Sequence, residues 1–573
     1  MNIRLLFLFL LFYSTHSVAQ STYIPLNRDY YHLIDRYEIQ SGNFSTHFHT
    51  TSKPYLRQQV GVWIDSLYKT DIDGLPKNGN KKNEYNLQYL ANDNWAWSEQ
   101  DEAANEKTLL KTFYRKKADL FHVDTKDFIL HINPVVHFQA GAEQVSETED
   151  EPITFTNTRG LQVHGSIDDK IGFYTYLGEN QMVFPHYVRT WTDAVGVVPG
   201  EGFWKRFKEH GVDFFTARGH IGFPVTRHIN MQMGYGRHFM GNGYRSMVLS
   251  DFANDYLFLK INTQIWRIQY TNLFTEMRAD VFVAPGGVGL YGIQRFPKKY
   301  FVLHRLGVNV TDQLNIGLYE TITFGQDPAT TGTTGFELSY LIPLIFYRSI
   351  EQETGSPDNA MLGVDVKWNF LRQFSLYGQL MLDEFLLSEA RSGNGWWGNK
   401  YAAQIGIKYI NALNISNLDV QVEHNLARPY AYAHESLYTN YAHYRQTLAH
   451  PLGANFRETL FIARYQPLPK LNLSGKFSFA HYGEDTLTTN WGKNIFLDYA
   501  THERDFGNEI GQGIATDLFY TDFSASYQLF HNFFTDVNFI FRKVNSEIEA
   551  GNQKSLLLSL SIRWNIPQRE SIF

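Results

Sequence analysis

Apolar and polar residues alternate along the last strongly patterned segment of the chain, Lys554 to Trp564. Because successive side chains of a strand point to opposite faces, the pattern predicts a strand with one apolar and one mostly polar face. The segment has about the length at which a tilted strand crosses a bilayer, roughly 9–11 residues. The apolar face would consist of Leu556, Leu558, Leu560, Ile562 and Trp564.

The same two-residue period recurs from about Asp127 onward, and short connections alternate with long ones. Short turns and long loops at opposite ends are typical of outer-membrane barrels, in which closure pairs every backbone group. We therefore predict an all-β transmembrane β-barrel of roughly 18 antiparallel strands over residues 123–573, with apolar faces on lipid and polar faces in the lumen. The alternation is clearest at 128–139, 364–370, 418–423, 471–479, 522–529 and 536–542, and the longest predicted loops are 184–212, 325–358, 386–400, 427–456 and 481–516.

Residues 20–122 follow a different pattern and are predicted to form a small, partly helical periplasmic domain, beneath the barrel or within its mouth. Apolar residues between Tyr30 and Tyr37, and again between Leu56 and Leu67, repeat at the i, i+3, i+4 spacing of a helix. A third helix is predicted around 109–113, and the polar stretch 71–83 is predicted as a loop.

Composition and the N-terminus place the chain in the cell envelope. Residues 1–19 have the basic, apolar and small-residue regions of a signal peptide, so the predicted location is the cell outer membrane. Aromatic residues make up 16% of the chain, which suits the aromatic girdles of a membrane barrel. The sequence has no cysteine, which excludes disulfides and cysteine-ligated metals. The net charge of −7 argues against nucleic acid as a partner.

Several stretches, taken together in their order along the chain, carry a family resemblance. They are 23–27, 53–57, 236–243, 246–251, 299–300, 304–306, 319–321, 338–347, 358–365 and 450–453. They resemble the Wzi family of capsule-assembly outer-membrane barrels, in particular the branch known in gliding bacteria as gliding-motility protein RemB. The chain departs from the family at Met240-Gly241, where Trp-Gly is common. The resemblance implies a barrel with a helical periplasmic part that attaches capsular polysaccharide to the cell surface.

We therefore expect a non-enzymatic protein that holds capsular or exopolysaccharide at the cell surface and supports gliding motility. Two alternatives stay open: a structural subunit of a larger outer-membrane complex for secretion, assembly or motility, and a diffusion pore. An open lumen would favour the pore, and a filled lumen would favour binding or assembly. The expected partners are surface polysaccharide, outer-membrane lipid and other envelope proteins, without a cofactor.

Polar residues of the predicted lumen and loops form the candidate ligand-binding set. Their carboxylates and amides can bind sugar hydroxyls, or they can form the network that fills a wide polar interior. The glycines of 236–243 either let the backbone approach a ligand or mark a bend that folds a loop inward. Glu320 shares the apolar parity of its strand, which predicts a bulge or contact with another part of the protein. The set is Arg237, Asn242, Asp251, His304, Arg305, Glu320, Asp358, Asn359, Asp365 and Asp383.

Aromatic residues cluster in the loops predicted to lie outside the cell, where they would either stack on sugar rings or pack loop against loop. They are Trp396, Trp397, Tyr430, Tyr432, Tyr438, Tyr441 and Tyr444. No catalytic residue is predicted, because Ser246 and His304 lie in no nucleophile-elbow pattern. No metal site is predicted, because His47 and His49 have no further ligands in sequence.

Overall fold

The computed structural model describes residues 21–69, 80–100, 114–146, 151–279, 297–325, 336–342, 358–436 and 438–570. The predicted signal peptide, residues 1–19, and the predicted helix at 109–113 lie outside the described residues. None of the helices in the described part of the chain is long and apolar enough to cross a membrane.

In the described part of the chain, 18 strands close into one antiparallel barrel, in which the last strand pairs with the first. The predicted fold class and strand number are confirmed. The strands are β1 Phe128–Val145, β2 Thr154–Ile167, β3 Ile171–Val183, β4 Gly211–Thr226, β5 Ile229–Gly236, β6 Tyr256–Ile265, β7 Ile268–Arg278, β8 Lys298–Asn309, β9 Leu314–Phe324, β10 Asn359–Phe370, β11 Phe374–Glu384, β12 Lys400–Tyr409, β13 Leu418–Ala427, β14 Phe456–Leu468, β15 Leu471–Glu484, β16 Ile514–Phe530, β17 Phe533–Ser546 and β18 Gln553–Trp564.

The two ends of the barrel differ. Short connections such as 266–267, 371–373 and 531–532 lie at one end, here called the turn end, together with the start of β1 and the end of β18. Long connections lie at the opposite, loop end. The two faces of β18 differ as the alternation predicts, since Leu560 is 62% exposed on the outward face and Ser559 is 2% exposed in the lumen.

Helices and short strands complete the described structure. The helices are α1 Arg28–Ser41, α2 Arg57–Lys69 and α3 Lys81–Asp93 before the barrel, and α4 His186–Val195 and α5 Leu387–Ser392 in its loops. Single turns of 3-10 helix lie at Trp95–Trp97, Leu338–Leu341, Ala412–Asn414, Tyr499–Thr501 and Glu549–Gly551. Short strands are Phe121–Asp124, which pairs with β1, Lys205–Phe207, which pairs with β4, Ser52–Lys53 with Phe239–Met240, and Ala442–His443 with Gln446–Thr447.

Helix α1 begins and ends where its sequence indicates. The Asn27 side chain accepts hydrogen bonds from the first-turn backbone of the helix, and Gly42 ends it with a φ of 80°, which a residue without a Cβ adopts readily. Helix α3 is one that the sequence pattern missed. It begins at Lys81, within the stretch predicted as a loop, because Asn80 caps it and Leu87 packs into the shared core of the three helices.

Helix α1 is held inside the turn end of the lumen by buried ion pairs. Lys367 of β10 donates to Asp35 at 2.7 Å and also to Glu38. Arg36 pairs with Asp419 of β13. Because a buried charge without a partner is costly, these pairs lock the helices to the inner wall. The lumen is therefore filled at its turn end rather than left as a clear channel.

Candidate functional site

A loop from the loop end, residues 237–255, folds down into the lumen and meets the N-terminal segment. Ser52 pairs with Met240 in a two-stranded sheet, and the backbone N–H of Gly241 donates to the carbonyl oxygen of Thr51 at 2.8 Å. The Tyr244 backbone N–H donates to Glu423 of β13 at 2.7 Å. We call residues 237–255 the first inward loop. Of the two interpretations of its glycines, the inward bend is the one observed.

The connection between β13 and β14 also folds inward and packs on the first inward loop. Its residues 428–436 and 438–455 are called the second inward loop. The hydroxyl of Tyr432 donates to the carbonyl oxygen of Met247 at 2.8 Å, and that of Tyr441 donates to Val248 at 2.7 Å. The inward loops pack in one apolar cluster with residues of β6 to β17.

The chain that follows β18 turns back into the lumen. Asn565 donates to the carbonyl oxygen of Pro134 at 2.8 Å, and Arg569 reaches Glu201, a loop-end residue, at 3.3 Å. Glu570 accepts a hydrogen bond from the Tyr244 hydroxyl and lies 3.5 Å from Arg28. This segment, residues 565–570, is called the tail. It connects the strand ends, the first inward loop and the N-terminal helices.

Two cavities along the wall formed by β1 to β5 and β14 to β18 are relevant to binding. The loop-end cavity has a volume of about 370 Å³ and the turn-end cavity about 170 Å³. They are contiguous, since Asn27, Gln162 and Ser524 line both. The turn-end cavity is rich in amides and hydroxyls, among them Asn86, Asn133, Gln162, Asn417, Gln466, Asn472, Ser474, Ser526 and Gln528.

The loop-end cavity contains a cluster of charges centred on Glu201. One carboxylate oxygen of Glu201, Oε1, lies 3.1 Å from Arg218, 3.3 Å from Arg569 and 3.9 Å from Arg237. Arg218 and Arg237 also pair with Asp255, at 2.7 and 2.8 Å. We call these five residues the arginine cluster. Burial raises the pKa of Asp255, but the two guanidiniums outweigh burial and lower that pKa to about 2.

The structure brings part of the predicted polar set together around these loops. Arg237 belongs to the arginine cluster and donates to the carbonyl oxygen of Asp251 at 2.9 Å, while the Asp251 carboxylate pairs with Arg28 at 3.2 Å. The Arg237 and Asp251 side chains therefore have separate ionic partners, Asp255 and Arg28. Asn242 is buried and donates to Thr51 at 3.0 Å.

Other members of the set fasten strands and loops elsewhere, Arg305, Asn359, Asp365 and Asp383 in the lumen and Asp358 on the outward side. Arg305 holds Asp365 through two hydrogen bonds of 2.7 Å. Asn359 donates to the carbonyl oxygen of Thr439 at 3.0 Å. Asp383 accepts from the Tyr432 backbone at 2.9 Å, and Asp358 accepts from the Tyr340 hydroxyl at 2.5 Å. Their role in ligand binding stays a prediction.

Two predicted lumen residues, His304 and Glu320, lie on the outward face instead. His304 precedes the lumen residue Arg305, and neighbours on a strand point to opposite faces. The bulge predicted at Glu320 is wrong, because β9 pairs with both neighbouring strands without a register shift. The other expectation for Glu320 holds: its strand lies against another segment, where Tyr340 packs on Phe324 at a ring distance of 4.6 Å.

The predicted loop aromatics divide into buried and partly exposed residues. Tyr430, Tyr432, Tyr438 and Tyr441 are buried, so they pack loop against loop and offer no free ring face. Trp396, Trp397 and Tyr444 are half-buried at the loop end. Trp397 stacks on His502 at a ring distance of 4.1 Å, which joins two loops.

The sequence pattern missed most of the arginine cluster. The pattern could have identified Arg218, because this residue has the same parity on β4 as the lumen residues Phe214 and Thr216. Glu201 and Asp255 lie in irregular loops, and Arg569 follows the last strand, so no periodic signal marks them. Their proximity depends on how the loops and the tail fold into the lumen.

Comparison with known proteins shows what the chain is similar to in fold. Neither a protein-family model nor a curated protein matches it in sequence. It resembles the solved structure of Wzi from Escherichia coli, described as an outer-membrane protein involved in group 1 capsule assembly and a carbohydrate-binding β-barrel. The TM-score is 0.57 at 12% identity, over 96% of this chain and 100% of that one.

Weaker likenesses connect the chain to Pseudomonas aeruginosa structures. OprD gives a TM-score of 0.41 at 9% identity, over 76% of this chain and 94% of that one. OccK8 (OprE) gives 0.39 at 10% identity, over 75% and 98%. By fold, the protein is a closed antiparallel β-barrel of Wzi-like architecture, and its own contacts show that helices, inward loops and a tail fill much of the lumen.

Proposed function

We propose that the chain is a non-enzymatic outer-membrane protein that holds capsular or exopolysaccharide at the cell surface. The observation that carries this proposal is the lining of the contiguous cavities. Amides, hydroxyls and charged groups are the partners that sugar hydroxyls require, and Tyr174, Tyr176 and Tyr244 add ring surfaces. The loop-end cavity also falls within the roughly 300–1,000 Å³ usual for ligand pockets.

The architecture of the lumen supports holding over free passage. The N-terminal helices are fixed to the wall by buried ion pairs, and the first inward loop is bonded to the segment that joins α1 to α2. The likeness to Wzi, whose description names it a carbohydrate-binding barrel, agrees with this function. The resemblance to the gliding-motility branch makes support of gliding a further part of the proposal.

The test compares polysaccharide retention in a deletion strain and its parent. Cell-bound and released polymer are measured separately, with the strain complemented by the intact gene as the control. Production of normal amounts of polymer with most of it released into the medium is the expected result. Normal retention would reject the proposal. Gliding is scored in the same strains by colony spreading.

A diffusion pore is the second candidate, because the two cavities are contiguous along one wall. Liposome swelling with small sugars distinguishes it. Swelling as fast as with a general porin would favour the pore, and swelling at the rate of protein-free liposomes would favour holding. A structural role in a larger complex would instead appear as stoichiometric envelope proteins that purify with the chain.

A further inference from the structure

The charges of the arginine cluster are arranged unevenly between the cavity and the wall behind it. The side chains of Arg218 and Arg569 are each 28% exposed, whereas those of Glu201 and Asp255 are 9% and 2% exposed. The cations therefore face the loop-end cavity while the carboxylates lie behind them. At the cluster, a ligand in this cavity would meet guanidinium groups. Other carboxylates that line the cavity are paired with cations outside the cluster, Asp251 and Glu570 with Arg28 and Asp522 with Lys476.

The charges also do not balance within the cluster. Three guanidiniums share two carboxylates, so the cluster carries one net positive charge. All three guanidiniums approach the same oxygen of Glu201, at 3.1 to 3.9 Å. Guanidinium donors form a planar fork that matches a carboxylate. Arg237 directs its donors to Asp255 and to two backbone carbonyl oxygens. Arg569, in contrast, directs one nitrogen to Glu201 and keeps donors for a second carboxylate.

We infer that the arginine cluster binds the carboxylate of an acidic sugar, of the uronic acid class, within the polysaccharide held by the barrel. This inference rests on the proposed function and names the ligand class of the same lumen. Ring surfaces lie beside the charges: Tyr174 and Tyr176 line the loop-end cavity, and the Arg218 guanidinium is 5.6 Å from the Tyr176 ring centre. The cluster thus combines a site for a carboxylate with flat apolar walls for a sugar ring.

The arginine cluster forms where four parts of the chain meet in the lumen. Its members come from β4, from the connection between β3 and β4, from the first inward loop and from the tail. The buried carboxylates keep the guanidiniums apart from one another at defined positions, so the cation surface is formed before a ligand arrives. Preformed donors lose little entropy on binding, which favours recognition over a flexible surface contact.

The experiment measures binding of polysaccharide extracted from the same cells to the full-length protein in detergent. One portion of the polymer is untreated, one has its carboxyl groups reduced to alcohols, and one is dephosphorylated. Untreated and dephosphorylated polymer are expected to bind equally, and carboxyl reduction is expected to weaken binding at least tenfold, the usual loss when hydrogen bonds to a charged group are removed.

Two substitutions with opposite expected signs test the cluster itself. Arg569→Gln removes a cation that faces the cavity and should weaken binding of untreated polymer about tenfold. Glu201→Gln removes the carboxylate that competes with the ligand and should strengthen binding. The control is Arg206→Gln, which should leave binding unchanged. Arg206 is an exposed arginine on the connection between β3 and β4, and it lies 3.5 Å from Asp193. The heat-dependent gel mobility typical of barrels verifies folding.

Each outcome has a defined meaning. Equal binding of untreated and carboxyl-reduced polymer would overturn the inference and leave the proposed function intact. Loss of binding on dephosphorylation alone would assign the site to a phosphate and also overturn it. Absence of binding of any polymer by the unaltered protein would reject the proposed function itself. Weaker binding by both Arg569→Gln and Glu201→Gln would indicate a purely structural cluster.

Discussion

Lys53 donates a hydrogen bond from its ammonium group to the carbonyl oxygen of Gly241 at 2.7 Å. The first residue belongs to the N-terminal segment and the second to the first inward loop, which enters the lumen from the opposite end. The Lys53 ammonium also donates to the carbonyl oxygen of Thr50 at 3.0 Å. The N-terminal segment and the first inward loop are therefore connected inside the lumen. A substitution that destabilises one of them should also destabilise the other.

The ion pairs of Lys367 should contribute strongly to stability. Lys367→Met removes the cation that serves both Asp35 and Glu38 and leaves buried carboxylates without it. We expect the free energy of unfolding to fall by about 3–5 kcal/mol, the usual cost of breaking a buried ion pair from one side. Urea unfolding in detergent micelles measures it.

The matched control is Lys69→Met, because the pair that Lys69 forms with Glu99 is exposed to solvent. Exposed pairs contribute little, so no measurable change is expected. A comparable loss in the free energy of unfolding in both variants would show that the effect of Lys367→Met does not come from the burial of its ion pairs.

The stability of the filled lumen should depend on acid pH. Burial raises the pKa values of Asp255 and Glu570, but neighbouring cations outweigh it and lower both to about 2. Because the folded pKa lies below the unfolded value of about 4, the stabilisation is complete above pH 4 and is lost as the pH falls from about 4 to about 2.

Thermal unfolding should therefore shift to lower temperature between pH 4 and 2, in addition to any loss between pH 7 and 5 that comes from buried histidines with lowered pKa values, such as His238, His443 and His450. Asp255→Asn should reduce the dependence on acid pH, because the amide does not titrate. A shift of the same size between pH 7 and 5 would instead point to histidines, whose unperturbed pKa is about 6.5.

The two inward loops should depend on two tyrosine hydroxyls. Replacing Tyr432 and Tyr441 together by Phe leaves the buried carbonyl oxygens of Met247 and Val248 without these donors. Each loss costs about 1–3 kcal/mol. We expect faster amide hydrogen exchange in both inward loops. The control is Tyr401→Phe, because Tyr401 lies on the outward face of β12, and this variant should leave the exchange of the inward loops unchanged. Equally fast exchange in the Tyr401→Phe variant would contradict the role given to the two hydroxyls.

The half-buried tryptophans at the loop end should contribute to polysaccharide retention. Trp396 lies 6.2 Å from Trp397, whose ring is already engaged by His502, so Trp396 is the aromatic we expect to meet a sugar ring. Trp396→Ala should lower cell-bound polymer about two- to tenfold, as expected for one lost stacking contact. Unchanged retention would remove this residue from the ligand-binding set.

The sequence by itself determined the barrel. In a strand, side chains alternate with a period of two, so the apolar face of β18 and the polar lumen residues of β10 are readable without any contact information. The alternation of short and long connections likewise predicts the two ends. The same local rule misplaced His304, because a polar side chain on an outward face breaks the pattern on which the rule depends.

Only the tertiary structure decided what fills the barrel and where charges meet. Glu201, Asp255 and Arg569 are far apart in sequence and lie outside periodic segments, so no spacing brings them together. Their contacts arise because burial of a charge is costly unless opposite charges and donors surround it. That requirement acts on the folded lumen as a whole, where the inward loops, the helices and the tail must satisfy one another.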